Sequence, residues 1–145
     1  MVIRLAIILA LISLCGCGRS GQGSTHVNSS KFKTVQEKAD FLNQYVTFRS
    51  AYESLDFDIK RQDKRDATTS EPQELDVRVV AVVPAAEIQA WIPTGVEQSP
   101  ENSEWVQTVP TSLDTSGIHE WYREQNRIVG VDREHGIVAY RSWND

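Results

Sequence analysis

The chain has 145 residues, of which 40% are hydrophobic and 24% charged, with a formal net charge of −5. This bounds it as one ordinary domain and excludes a multidomain machine, while 8 Gly and 5 Pro are too few for a collagenous or wholly disordered chain. A domain of this length buries roughly two-thirds of the surface its unfolded chain exposes, enough for a core without metal or disulfide staples. The first segment departs from that average. Arg4 precedes an uncharged apolar run over residues 5–14, the n-region and h-region of a secretory signal, so residues 1–16 are expected to be a signal peptide. As a helix this run would span about 15 Å against a hydrocarbon core of about 30 Å, too short to cross a membrane. It is also apolar on every side, whereas a core helix shows one apolar stripe.

Leu14-Cys15-Gly16-Cys17 resembles the lipobox of bacterial lipoproteins, in which a small residue precedes the cysteine that becomes the new N-terminus. Gly16 meets that requirement for Cys17; cleavage before Cys15 would place bulky Leu14 at the small-residue position, and Cys15 itself stands where Ala or Ser is more usual. The resemblance covers about the first eighteen residues. It implies removal of the signal, a diacylglyceryl thioether on Cys17 and usually an N-acyl chain of the palmitate type, which together anchor a protein stably in a bilayer where one chain would be marginal. Gly18 in place of Asp implies, by that family's sorting rule, the outer rather than the inner membrane of a diderm envelope. Both cysteines of the chain lie here. Processing would therefore leave no free thiol in the mature domain, excluding thiol nucleophiles, Cys zinc sites, iron–sulfur clusters and internal disulfides.

Residues 17–33 read as the lipidated N-terminus and a flexible tether, since residues 18–31 are almost all Gly, Ser and other polar types. Such a stretch has an r.m.s. reach of about 20 Å, and His26 within it reads as a solvated linker residue. The domain proper is expected over 34–145. Thr34-Val-Gln-Glu37 is a capping-box pattern that starts a helix; Phe41, Tyr45, Phe48, Tyr52 and Leu55 follow at helical spacing, and the helix is expected to end near residue 50. Leu55, Phe57 and Ile59 also alternate with polar residues as a half-buried strand would. Residues 60–74 read as a long exposed loop of mixed charge. Residues 75–83 form the strongest strand, apolar on both faces towards its end and so interior to a sheet. Pro84 suits the first turn of a short helix over 85–92, which Pro93 ends. Residues 94–104 are an acidic loop, and residues 105–110 a short helical turn or edge segment. Strands are expected over 118–124, 127–132 and 137–143, with Gly136 supplying the positive dihedral of the last hairpin. The fold class is therefore α+β, an antiparallel sheet of four or five strands with two helices packed on one face.

The polar residues that merit weighing as a site are His119, Asp132, Glu134 and His135. No His-Glu-x-x-His, Gly-x-Ser-x-Gly or Gly-rich phosphate loop accompanies them, residues 132–136 have the composition of a polar hairpin turn, and alternation places His119 with Trp121 but Glu120 with Tyr122. No cofactor or metal is expected. Without residues 1–16 the chain carries 14 Lys and Arg against 20 Asp and Glu, which argues against nucleic acid and anionic headgroups as partners. Of the tryptophans, Trp91 and Trp121 are expected in the core and Trp143 partly exposed. The reading is a membrane-anchored envelope lipoprotein that binds an envelope component or protein without catalysis. The alternatives are an inhibitor or immunity protein whose acidic surface suits a basic target, and a small envelope hydrolase.

Overall fold

The computed structural model describes residues 23–48, 51–62 and 73–144; the expected signal peptide, Cys17 and the middle of the 60–74 loop lie outside them. The described residues form an α+β fold built on one antiparallel sheet of seven strands. These are β1 (Ser24–Asn28), β2 (Ser54–Gln62), β3 (Glu74–Val82), β4 (Gln98–Ser99), β5 (Glu120–Glu124), β6 (Arg127–Asp132) and β7 (Ile137–Asn144), in the order β1-β2-β3-β7-β6-β5-β4. Two short helices, α1 (Val35–Leu42) and α2 (Ile88–Trp91), accompany the sheet.

The expected count of four or five strands is too low because two strands carry little apolar signal. β4 is two residues long. β1 has a single large apolar residue, Val27, and pairs on one side only, with β2. Its position also corrects the expected tether: Ser24–Asn28 are sheet, and the capping side chain of Asn28 leads directly into a 3-10 turn over Ser29–Lys31. The interior placement of β3 between β2 and β7 agrees with its sequence.

The capping box at Thr34 forms in full, but the helix ends at Leu42 rather than near residue 50. Its last turn tightens through hydrogen bonds from the Gln44 and Tyr45 amides to the Phe41 and Leu42 carbonyls. The chain then leads Phe48 away to stack on Trp91, with ring centroids 4.1 Å apart. Phe41, Tyr45, Phe48 and Tyr52 do all pack against one core. Their spacing marked burial correctly, while tertiary contacts between aromatic rings decided the backbone.

Period-two alternation divides the apolar residues between the two sheet faces. On one face Leu55, Phe57, Val77, Val79, Val129 and Val138 lie beneath Ala39 and Leu42 of α1 and Ile88 and Trp91 of α2. On the other face Val80, Trp121, Ile128, Ile137 and Ala139 lie beneath Trp105 and Val106 of the 3-10 turn Glu104–Thr108, joined by Val109 and Ile118. Each fully buried Val, Leu, Ile or Phe among them contributes about 1.5–3 kcal/mol relative to exposure. Among the described residues this second core includes none from β1 or β2, whose positions on that face are polar.

Gly130 makes the second core possible. It sits between Trp121 and Ala139 in the ladder, and a Cβ there would lie 2.7 Å from Ile118 Cγ2 and from two carbons of the Trp121 ring. Gly130→Ala is expected to lower stability by about 1–3 kcal/mol, the cost of overpacking a close-packed core, although alanine is the better residue for an ordered strand. Urea denaturation measures it; an unchanged or higher midpoint would show that the Trp121 ring relocates without cost.

Candidate functional site

The sequence-derived candidates separate into two places. Asp132 closes β6, and its carboxylate accepts hydrogen bonds from the Glu134 and His135 amides at 3.0 and 3.2 Å and pairs with His135 Nδ1 at 2.7 Å. The hairpin closes through Gly136, whose φ is +69° and where a Cβ would meet the Val83 carbonyl at 2.7 Å. Asp132 and His135 thus come together as a turn lock, and Glu134 contributes its backbone. Gly117 packs directly on this lock, with room for no Cβ beside the Asp132 carboxylate. His119 lies apart, lining a polar cavity of about 570 Å³ with Trp121, Asp114 and Ser116. Glu120 instead receives hydrogen bonds from Tyr122 and Arg133, as alternation required. Among the described residues no group of three or more His, Cys, Asp and Glu side chains is placed to hold a metal.

A different set of residues forms the more developed site. The register aligns Trp143, Asp76, Lys60 and His26 across β7, β3, β2 and β1, and Arg141, Arg78, Asp58 and Asn28 in the neighbouring line. Alternation puts both lines on the face that Val80 and Ala139 occupy further along β3 and β7. They border a cleft of about 430 Å³, edged also by Ser24, Arg61, Gln62 and Glu74.

Asp76 organises this cleft. Arg141 donates from Nε and Nη2 to its two carboxylate oxygens at 3.0 and 3.1 Å, and Arg78 donates to Oδ2 from Nε at 3.1 Å and from Nη2. Burial pushes the Asp76 carboxyl up, but the hydrogen bonds from Arg141 and Arg78 and their charges outweigh it and hold the group below the usual carboxylate range. Arg78 Nη1 reaches Thr108 Oγ1 at 2.7 Å, and that hydroxyl donates to the Trp105 carbonyl. The clamp is therefore fastened to the cover of the second core. Arg141 also lies over the Trp143 ring, 5.1 Å from its centroid, with Arg123 at 5.9 Å, a cation–π arrangement that fixes the one tryptophan that is not fully buried.

Two further aspartates lie beneath the β1 side. Asp58, its side chain 4% exposed, is hydrogen-bonded through Oδ1 to His26 Nε2, with Lys60 Nζ 3.9 Å from Oδ2. Asp56 accepts from the Ser29 hydroxyl at 3.0 Å and from Lys38 Nζ at 2.7 Å. His26 is thus not the solvated linker residue its surroundings in sequence suggested. It secures the edge strand to a buried carboxylate and presents its ring at the cleft. No polar residue of this cleft stood among the sequence candidates. The signal available was the outward alternation of Asp76 with Arg78 and of Arg141 with Trp143, but pairing two segments some 65 residues apart requires the topology.

Chemically, the cleft offers charge, hydrogen-bond donors and an aromatic edge. Among the described residues no hydroxyl is hydrogen-bonded to the second ring nitrogen of His26. Comparison of the chain with protein-family models, with curated proteins and with solved structures finds no match.

The turn lock has a defined pH signature. The hydrogen bond to Asp132, then its charge, raise His135 above its ordinary value of 6.5, with Glu134 and Asp114 adding to them. Burial pushes Asp132 up, but the hydrogen bonds from the His135 ring and amide and the Glu134 amide leave it below 3.8. A raised histidine contributes stability that is complete below its unfolded value and lost as pH rises through the higher folded one; a lowered aspartate contributes above its unfolded value and loses it as pH falls through the lower folded one. The pair therefore stabilises most between these limits. In thermal melts, His135→Gln is expected to lower Tm most near about pH 5–6 and to converge with the wild type by about pH 9. A Tm deficit independent of pH would reject the lock.

Proposed function

We propose that this chain is a lipid-anchored module of the bacterial cell envelope that binds an envelope component through the cleft of Asp76, Arg141, Lys60 and Trp143, without chemistry on the ligand. The lipobox-like segment at Cys17 supports the anchor, and Gly18 favours the outer membrane of a diderm host. The observation that carries the binding role is the clamp itself. Two guanidiniums share one half-buried carboxylate beside a partly exposed tryptophan, on a stretch of that sheet face that, among the described residues, lies outside the second core. Among the described residues no helix is long and apolar enough to cross a membrane, so attachment in this reading falls to the acylated cysteine.

The His26–Asp58 pair favours a second reading, a small envelope hydrolase in which a buried carboxylate orients an imidazole at the cleft. His26→Gln separates the two, since it would abolish turnover in a hydrolase but leave capture of a ligand at the Arg141 end intact.

Two measurements test the main reading. Cys17→Ser is expected to leave an uncleaved precursor or a chain released from the membrane fraction; unchanged processing and retention would reject the anchor. Crosslinking in the native envelope is expected to give an adduct that Trp143→Ala weakens by about tenfold or more, in line with loss of an aromatic anchor worth about 2 kcal/mol. An adduct pattern indifferent to Trp143 and Arg141 would move the binding surface elsewhere.

A further inference from the structure

We infer that the cleft seats on the membrane that carries the chain, with Lys60, Arg61 and Arg141 receiving the phosphates of anionic lipid headgroups and Trp143 entering the interface beside them. This rests on the lipid-anchored reading above and names the envelope component that the cleft binds.

Covalent geometry supplies the first argument. Ser24 and His26 of β1 border the cleft, and Ser24 follows Cys17 by seven residues. Seven residues span at most about 25 Å even when fully extended, so an acylated Cys17 holds the β1 edge of the cleft within that distance of the headgroups. A tether running to residue 33 would have imposed no such limit; the pairing of β1 with β2 does.

The second argument is chemical. Lys60 is half exposed on the cleft face, and Arg61, next to it at the end of β2 and alternating to the opposite face, edges the cleft from the rim. Arg141 spends Nε and Nη2 on Asp76 and keeps Nη1 for another acceptor. Two guanidiniums share the single Asp76 charge, which leaves the clamp net positive; Lys60 is set against Asp58, and Arg61 and Glu74 offset one another at the edge, so the excess of positive charge sits at the clamp. Tryptophan flanked by Lys and Arg is the composition that settles at a membrane interface, where the indole has one apolar and one wet side. The acidic net charge of the chain does not oppose this, because surface charges further than about 8 Å away are screened at physiological ionic strength. Nor must the affinity be high. A short link to the anchor sets an effective concentration in the millimolar range.

The test uses the purified acylated chain in vesicles containing brominated phosphatidylcholine, with or without phosphatidylglycerol. Bromine quenches tryptophan at the interface, and Trp91, Trp105 and Trp121 are at most 6% exposed, so quenching reports Trp143; Trp143→Phe should remove the quenched component and confirms the assignment. Quenching is expected with phosphatidylglycerol and not without it, and should fall as salt is raised. The double variant Lys60→Gln, Arg61→Gln is expected to lower the docked-to-undocked ratio about thirtyfold, from two cations each contributing about 1 kcal/mol near an anionic surface. Both residues are exposed at the strand end, and a circular dichroism spectrum matching wild type shows that the fold is kept. Equal quenching in neutral and anionic vesicles, or none in either, overturns the docking while leaving the anchor standing. A chain that fails to float with the vesicles overturns the anchor and the docking together. If inorganic phosphate or an acidic oligosaccharide shifts the Trp143 indole resonance while vesicles leave it unmoved, the cleft takes a soluble anion and the membrane seat is rejected.

Discussion

The pairing of β3 with β7 is the constraint from which the rest of the molecule follows. It runs from Leu75 opposite Asn144 to Val82 opposite Ile137, and it joins the sheet made by the N-terminal half, β1-β2-β3, to the one made by the C-terminal half, β7-β6-β5-β4. Without it, neither half has a complete core. Val79 and Val138 belong to the core under the helices, whereas Val80 and Ala139 belong to the core under the 3-10 turn, so one ladder is buried on both sides. Contacts this distant in sequence carry a loop-closure cost before burial rewards them. The hairpins on either side, β2–β3 and β6–β7, are local and can form first; their union is the step that specifies the fold.

The same ladder explains why a charged cluster can sit at the edge of a hydrophobic sheet. Removing a carboxylate from water costs several kcal/mol unless its oxygens are met. On Asp76 they are met by Arg141 from the facing strand and by Arg78 two residues along the same strand, and the donors come with opposite charge. A slip of one residue in the β3–β7 register would turn Asp76 and Arg78 to the helix-covered core and Val79 outwards. The clamp therefore acts as a registry device as well as a surface. Its continuation through Thr108 to the Trp105 carbonyl ties that register to the cover of the second core.

How much of this was legible in the sequence follows from the range of the interactions involved. The capping box at Thr34, the strands around Val79, Val129 and Val138, the turn at Gly136 and the exposure of Trp143 all depend on neighbours within a few residues, and all were readable. The end of α1 was not, because Phe48 leaves the helix for Trp91, some forty residues away. β1 was not, because an edge strand that pairs on one side can be polar; Ser24-Thr-His-Val-Asn28 differs little from a linker until β2 is placed beside it. The chosen polar candidates show the same division. Asp132 and His135, three apart, do meet, whereas the cleft combines β1, β2, β3 and β7 and has no local signature.

Net charge illustrates what averaging conceals. A chain at −5 reads as repelled by anionic surfaces, yet its acidic residues are spread over loops and buried pairs, and several of them are committed. Asp56 holds Ser29 and Lys38, Asp58 holds His26, and Asp76 holds two arginines. A carboxylate engaged in this way projects little field, and at Asp76 two guanidiniums meet one carboxylate, so the cluster is net positive. The sign that a partner meets is set by how the charges pair, and at the clamp the cations outnumber the anion. The edge strand that borders this face is held in the sheet from Ser24 opposite Gln62 to Asn28 opposite Asp58, and the His26–Asp58 contact adds a side-chain tie to that backbone pairing.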